Sequence, residues 1–173
     1  VSVAFISMFV GGSLYYFSPS PQFAYTTSNV TPATVSNASA KASHTILFDV
    51  LDIGTHAAGV TVRKNYAAYS KEDFAKMWKM AHGTDRTPIP TVDFSKNFVI
   101  GVFSGKQSTG GYTIEVAKVT DIGDIRTVAV ALIKPGQNCI VTEALTNPYQ
   151  IIVVPFTYAA LAHEDISTTV NCS

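Results

Sequence analysis

The sequence predicts an α+β fold, mainly β: an antiparallel sheet or sandwich with one packed helix, preceded by an N-terminal apolar segment. Three observations carry that expectation. From His44 onward the apolar runs are short, rich in β-branched and aromatic residues, and bounded by Gly, Pro or Asn. Only residues 70–83 show apolar positions at helical spacing between two capping residues. Strands and helices do not alternate, so a nucleotide-binding α/β fold is excluded.

Taken in order, residues 45–51 (TILFDVL) and 59–64 (GVTVRK) read as two short strands, with Gly54 and Ala57-Ala58-Gly59 as punctuation. Ser70 then caps a helix, Asp73 stands three residues on as a weak capping box, and Gly83 ends it. Phe74, Met77, Trp78 and Ala81 share one face, so the helix should cover the sheet. The run 98–103 (FVIGVF) is apolar on both faces and should be a central strand. Its hairpin partner is expected at 112–119, across a turn in which Gly110-Gly111 supply positive φ. Residues 127–133 make a further strand, 138–141 extend the sheet, and 149–154 close it before Pro155.

Composition divides the chain. Residues 1–40 contain no Lys, Arg, Asp or Glu, although the whole chain balances 12 basic against 12 acidic residues. Residues 1–17 form an apolar segment ending in Tyr15-Tyr16-Phe17, slightly short of the roughly 20 residues of a membrane span, with aromatics suited to the interface. Three readings stand: a membrane anchor or export signal, a helix or strand of the domain itself, or a docking tail that completes a neighbouring subunit's sheet. A chain that opens directly on this segment is expected to be a processed form. Residues 18–43, rich in Ser, Thr, Ala and Pro, read as an extended linker, and 44–173 as the β-rich domain. Sequons at Asn29 and Asn37 in the linker, and at Asn171 near the end, are candidate glycosylation sites.

The chemistry a catalytic site would need is sparse. Gly101 precedes Gly105-Lys106 too closely for a phosphate-binding loop, Gln107 stands where a hydroxyl is required, and a strand rather than a helix follows. His44, His56, His82 and His163 are isolated, Ser104 lacks the nucleophile-elbow pattern, and no carboxylate pair among Asp93, Asp121, Asp124 and Glu143 is set by spacing. We expect no enzyme, no metal and no cofactor. The balanced charge argues against nucleic acid as a partner. Cys139 and Cys172 are the only cysteines, and in an exported chain they should form a disulfide that orders the otherwise polar C-terminal segment.

Residues 45–155 resemble the C-terminal domain of the PrcB family. The resemblance lies in Gly54-Thr55-His56, Gly59-Val60 and Arg63-Lys64, and in the helix with Phe74 and Trp78. It continues in Val92-Asp93-Phe94-Ser95-Lys96, Ser108-Thr109-Gly110-Gly111-Tyr112, Pro135-Gly136 with Cys139, and Thr142 to Thr146-Asn147-Pro148-Tyr149 with Val154-Pro155. It implies an exported, non-catalytic accessory subunit of a protease complex, one that aids the assembly or stability of a protein partner.

The expected function is therefore an extracytoplasmic accessory subunit, in contact with a membrane, that binds and stabilises a membrane or cell-surface protein complex. A structural alternative is a subunit of an extracellular filament, self-associating through residues 1–17. A third is a protease-inhibitor-like module. The candidate binding loop comprises Lys106, Gln107, Thr109, Gly110, Gly111 and Tyr112, where Tyr112 is either an exposed aromatic contact or simply the start of a strand.

Overall fold

Phe98, Val99, Ile100, Val102 and Phe103 are all buried, and their strand does lie at the centre of a sheet. The computed structural model describes residues 15–16 and 41–172. Their strands are β1 (Tyr15–Tyr16), β2 (Ser43–Ile46), β3 (Asp49–Gly54), β4 (Lys64–Ala68), β5 (Asn97–Phe103), β6 (Thr113–Ile122), β7 (Ile125–Pro135), β8 (Tyr149–Pro155) and β9 (Ala160–Val170). Helix α1 spans Lys71–His82. The first sheet has the order β1-β4-β5-β8-β3 and the second β2-β6-β7-β9.

The two faces of β5 explain the layering. Phe98, Ile100 and Val102 meet Ile114, Val116, Val119, Val128 and Val130 of the second sheet in one apolar cluster. Val99 and Phe103, on the other face, meet Phe74, Met77, Trp78 and Ala81 of α1 in a second cluster. The molecule is thus helix on sheet on sheet, with the first sheet covered twice. Each fully buried Phe or Ile in it contributes roughly 1.5–3 kcal/mol. The helix is set as the sequence implies: Asp73 N–H donates to Ser70 Oγ at 3.1 Å, and Gly83 N–H donates to Lys79 O at 2.8 Å.

Five expectations need correction. The run 45–51 is two strands: β2 pairs with β6 in one sheet and β3 with β8 in the other, with the exposed Leu47 at the crossing. Residues 59–63 are not a strand, because Gly59 N–H is taken by Met80 O and Asn147 Nδ2 donates to both Ala57 O and Val60 O. The strand begins instead at Lys64. Residues 98–103 and 112–119 do not form a hairpin. β5 lies between β4 and β8, while β6 pairs with β2 and β7, so the 104–112 connection passes from one sheet to the other. Finally, residues 138–141 form no strand, and β8 is internal rather than closing, since β3 pairs outside it.

The C-terminal segment is the least expected element. Residues 160–170 form β9, which runs parallel to β7 from Ile125↔Ala160 to Pro135↔Val170. The sheets are otherwise antiparallel. β9 is an ordered edge, as the sequence reading required, and the Cys139–Cys172 disulfide closes its far end with a Cα–Cα distance of 4.9 Å.

Candidate functional site

The 104–112 segment is a sheet-to-sheet crossing whose backbone is tied to its neighbours. Ser104 N–H donates to Pro148 O, and Lys106 N–H to Thr61 O. Gln107 exchanges both backbone hydrogen bonds with Thr146, Gly110 N–H donates to Thr142 O, and Thr146 Oγ1 donates to Thr109 O at 2.7 Å. The two stretches 108–112 and 142–149, separate in sequence, therefore lie side by side. Gly110 permits this close approach, since a Cβ there would collide with Thr142 Oγ1, while Gly105 (φ 74) and Gly111 (φ 82) hold positive φ and a Cβ at Gly105 would meet Val62 C at 2.6 Å.

The candidate loop residues divide accordingly. Lys106 and Gly111 are exposed, Gln107, Thr109 and Tyr112 are half-buried, and Gly110 is buried. Tyr112 lines a shallow cleft of about 180 Å³ with Arg63, Ser104, Gln107, Lys134 and Ser167. Arg63 fixes one wall. Its Nε and Nη2 reach Asp165 at 3.0 and 2.5 Å, and Nη1 reaches Asn65 Oδ1 at 2.5 Å and Phe103 O at 3.2 Å, joining β9 to the first sheet. The apolar side chains that project freely nearby belong to another loop: Ile140 is fully exposed and Leu145 69% exposed. The disulfide at Cys139 and the Gly110–Thr142 hydrogen bond hold that loop at both ends.

The other candidates do not assemble a catalytic centre. Asp121 receives both Nε and Nη2 of the buried Arg126 at 2.7 Å, which holds its carboxyl below the usual range. Asp124 faces Lys41 at 3.8 Å, and Asp93 accepts from Ser95, which lowers its pKa too. His44 and His56 are exposed, and His163 is buried with Nε2 4.0 Å from Asp165. Among the described residues no group of His, Cys, Asp or Glu is placed to hold a metal. Asn171 is exposed beside the disulfide, while Asn29, Asn37 and most of residues 1–17 lie outside the described residues.

Sequence reasoning missed one network. His82 Nε2 and the Tyr149 hydroxyl both lie 2.8 Å from Asp52 Oδ2, tying α1 and β8 to β3. Burial, then Asp52, pushes the Tyr149 pKa well up, so the hydroxyl stays a donor. Because the groups use one another's hydrogen bonds, the network acts as a brace. Asp52 carries no signal in the sequence; His82 in the last helical turn is the only hint. Gln150 was missed as well: it is buried, and its Oε1 accepts from Val116 N–H at 2.6 Å, linking the two sheets.

Tyr112, Thr142, Thr146, Tyr149 and Gln150 lie between β5 and the end of β8, while Asp52, Arg63, His82 and Asp165 lie outside that stretch. Residues 98–155 match the family model described as PrcB C-terminal. The matched stretch comprises β5 from Phe98, the crossing loop with Tyr112, the β6–β7 pair, the exposed 137–145 loop and β8. Residues 54–96, which also contribute to the sequence resemblance, lie outside the matched stretch. No curated protein and no solved structure matches the chain.

Proposed function

We propose that the protein is a non-catalytic, extracytoplasmic accessory subunit that binds and stabilises a protein partner in a membrane or surface complex. The match to the PrcB C-terminal family carries the reading, because the resemblance implies an accessory module of a protease complex. The disulfide supports it from the side of compartment, since such bonds persist where the surroundings are oxidising. The docking surface is the end of the sandwich where the half-buried Tyr112 lies close to the 137–145 loop, which presents Ile140 and Leu145. Apolar and aromatic side chains held on a braced loop are suited to act as binding hot spots. The test is purification of the native complex from the membrane or surface fraction, followed by Ile140→Asp with Leu145→Asp. Loss of the partner with an unchanged fold is expected; recovery of the chain alone in a soluble cytoplasmic fraction would contradict the reading.

A second reading, a structural subunit that self-associates through its apolar N-terminal segment, would reuse between copies a pairing that the structure shows within one chain. Tyr15 and Tyr16 form an antiparallel strand on β4, with Tyr15↔Ala67 and Tyr16↔Tyr66 as partners.

A further inference from the structure

β4 is the outermost strand of the first sheet contributed by the folded domain, and β1 lies on its open edge. Ala67 packs in the cluster between the two sheets and Ala68 in the cluster under α1, so both faces of β4 are already buried and what its outer edge offers a further strand is main-chain N–H and C=O groups. Beside it, Arg63 binds Asp165 of β9, which keeps the edges of the two sheets together on this side of the molecule.

The occupant comes from a charge-free, apolar stretch, and residues 17–42 between it and β2 are rich in Ser, Thr, Ala and Pro. A linker of that length and composition is compatible with the strand being given to another copy. We propose that the β4 edge is a strand-acceptor site whose partner is the Tyr15-Tyr16 segment of a second copy of this chain. The proposal rests on the self-association reading above and names its site. Exchange repeats in trans the pairing the structure shows within one chain, so no new surface is required. Each copy offers one donor strand and one acceptor edge at different places. Exchanged both ways between two copies, the strand closes a two-fold dimer; passed on from copy to copy, it gives a ring or an open filament. The main-chain pairing supplies attraction, and the antiparallel register supplies direction.

Two single-cysteine variants of the full chain, Tyr15→Cys and Ala67→Cys, test this when mixed in equal amounts and mildly oxidised; the native cysteines are already paired. Only contact between copies can join the two variants. A covalent heterodimer on non-reducing electrophoresis is expected, with a dimer or a ladder of multimers when both substitutions are in one chain. Tyr16→Cys with Tyr66→Cys, the neighbouring partners, is used if the buried Ala67 position does not tolerate substitution. A doubly substituted chain that yields only an internally bridged monomer, with no heterodimer from the mixture, overturns the proposal and leaves the pairing intramolecular. Multimers by native mass spectrometry without trans cross-linking at either pair refute this site while sparing the self-association reading. A monomer at every concentration refutes both.

Discussion

The second sheet is built from longer strands than the first, yet it buries fewer faces. β5 and β8 of the first sheet pack between α1 and the second sheet, whereas β7 and β9 of the second turn one face to solvent. The contrast is greatest between β5, whose residues from Phe98 to Phe103 are all buried, and β9, where only His163 is. A strand covered twice holds its place by packing. A strand covered once, and polar, depends on its neighbours and on its ends. β9 has the β7 ladder, the Arg63–Asp165 pair near its middle and the Cys139–Cys172 bridge beyond its last residue. The first sheet is the more deeply packed scaffold, and the second keeps one face exposed.

The largest expected effect breaks the scaffold. Phe98→Ala should cost about 3–5 kcal/mol, the range for removing a buried aromatic ring. Ile166→Ala on β9, where the side chain is 43% exposed, should change stability by no more than about 0.5 kcal/mol. Urea unfolding of the pair of variants measures both, and similar losses would remove the distinction between the sheets. Next comes the covalent tie. The bridge closes a sequence separation of 33, so Cys139→Ser with Cys172→Ser should cost about 3–4 kcal/mol by loop-closure entropy. Its effect should concentrate at the end of β9, visible as faster amide exchange there than in β5.

A smaller effect sharpens the contact between the sheets. Arg126 in β7 binds Asp121 and also donates Nη1 to Pro155 O at the end of β8, 2.5 Å away. Arg126→Met should cost about 2–4 kcal/mol at neutral pH, short of a fully buried pair because Asp121 keeps 23% of its side-chain exposure. The sign with pH follows from the depressed carboxyl. A carboxylate whose folded pKa is lowered stabilises the fold above its ordinary value and loses that contribution as pH falls through the folded one. The gap between wild type and variant should therefore narrow below about pH 4, followed by thermal unfolding across the acid range.

The same difference between sheets governs what could be read from the sequence. FVIGVF and YQIIVVP announce themselves because both faces are apolar, and α1 because its caps and its apolar face agree. The disulfide was legible from the even cysteine pair once the chain was read as exported. β9 was not, since ALAHEDISTTV has the polarity of a tail and becomes a strand only through the parallel ladder with β7. The hairpin expected between 98–103 and 112–119 failed for a related reason: a glycine-containing turn signal does not say whether the next strand pairs locally or crosses to another layer. At the candidate site, Gly110, Gly111 and Tyr112 were identified, but their partners Thr142 and Thr146 were not, because contacts that distant in sequence leave no spacing to detect. Ile140 was read as part of a strand and proves to be the most exposed apolar side chain near the loop.

Native-state amide hydrogen exchange, read residue by residue on the full chain, tests most directly whether one sheet is scaffold and the other its adaptable face. Amides of Val99 to Phe103 and Ile151 to Val154 should exchange only through global unfolding, while those from Ile166 to Val170 exchange earlier through local opening. Equal protection of β5 and the second half of β9 would contradict the account.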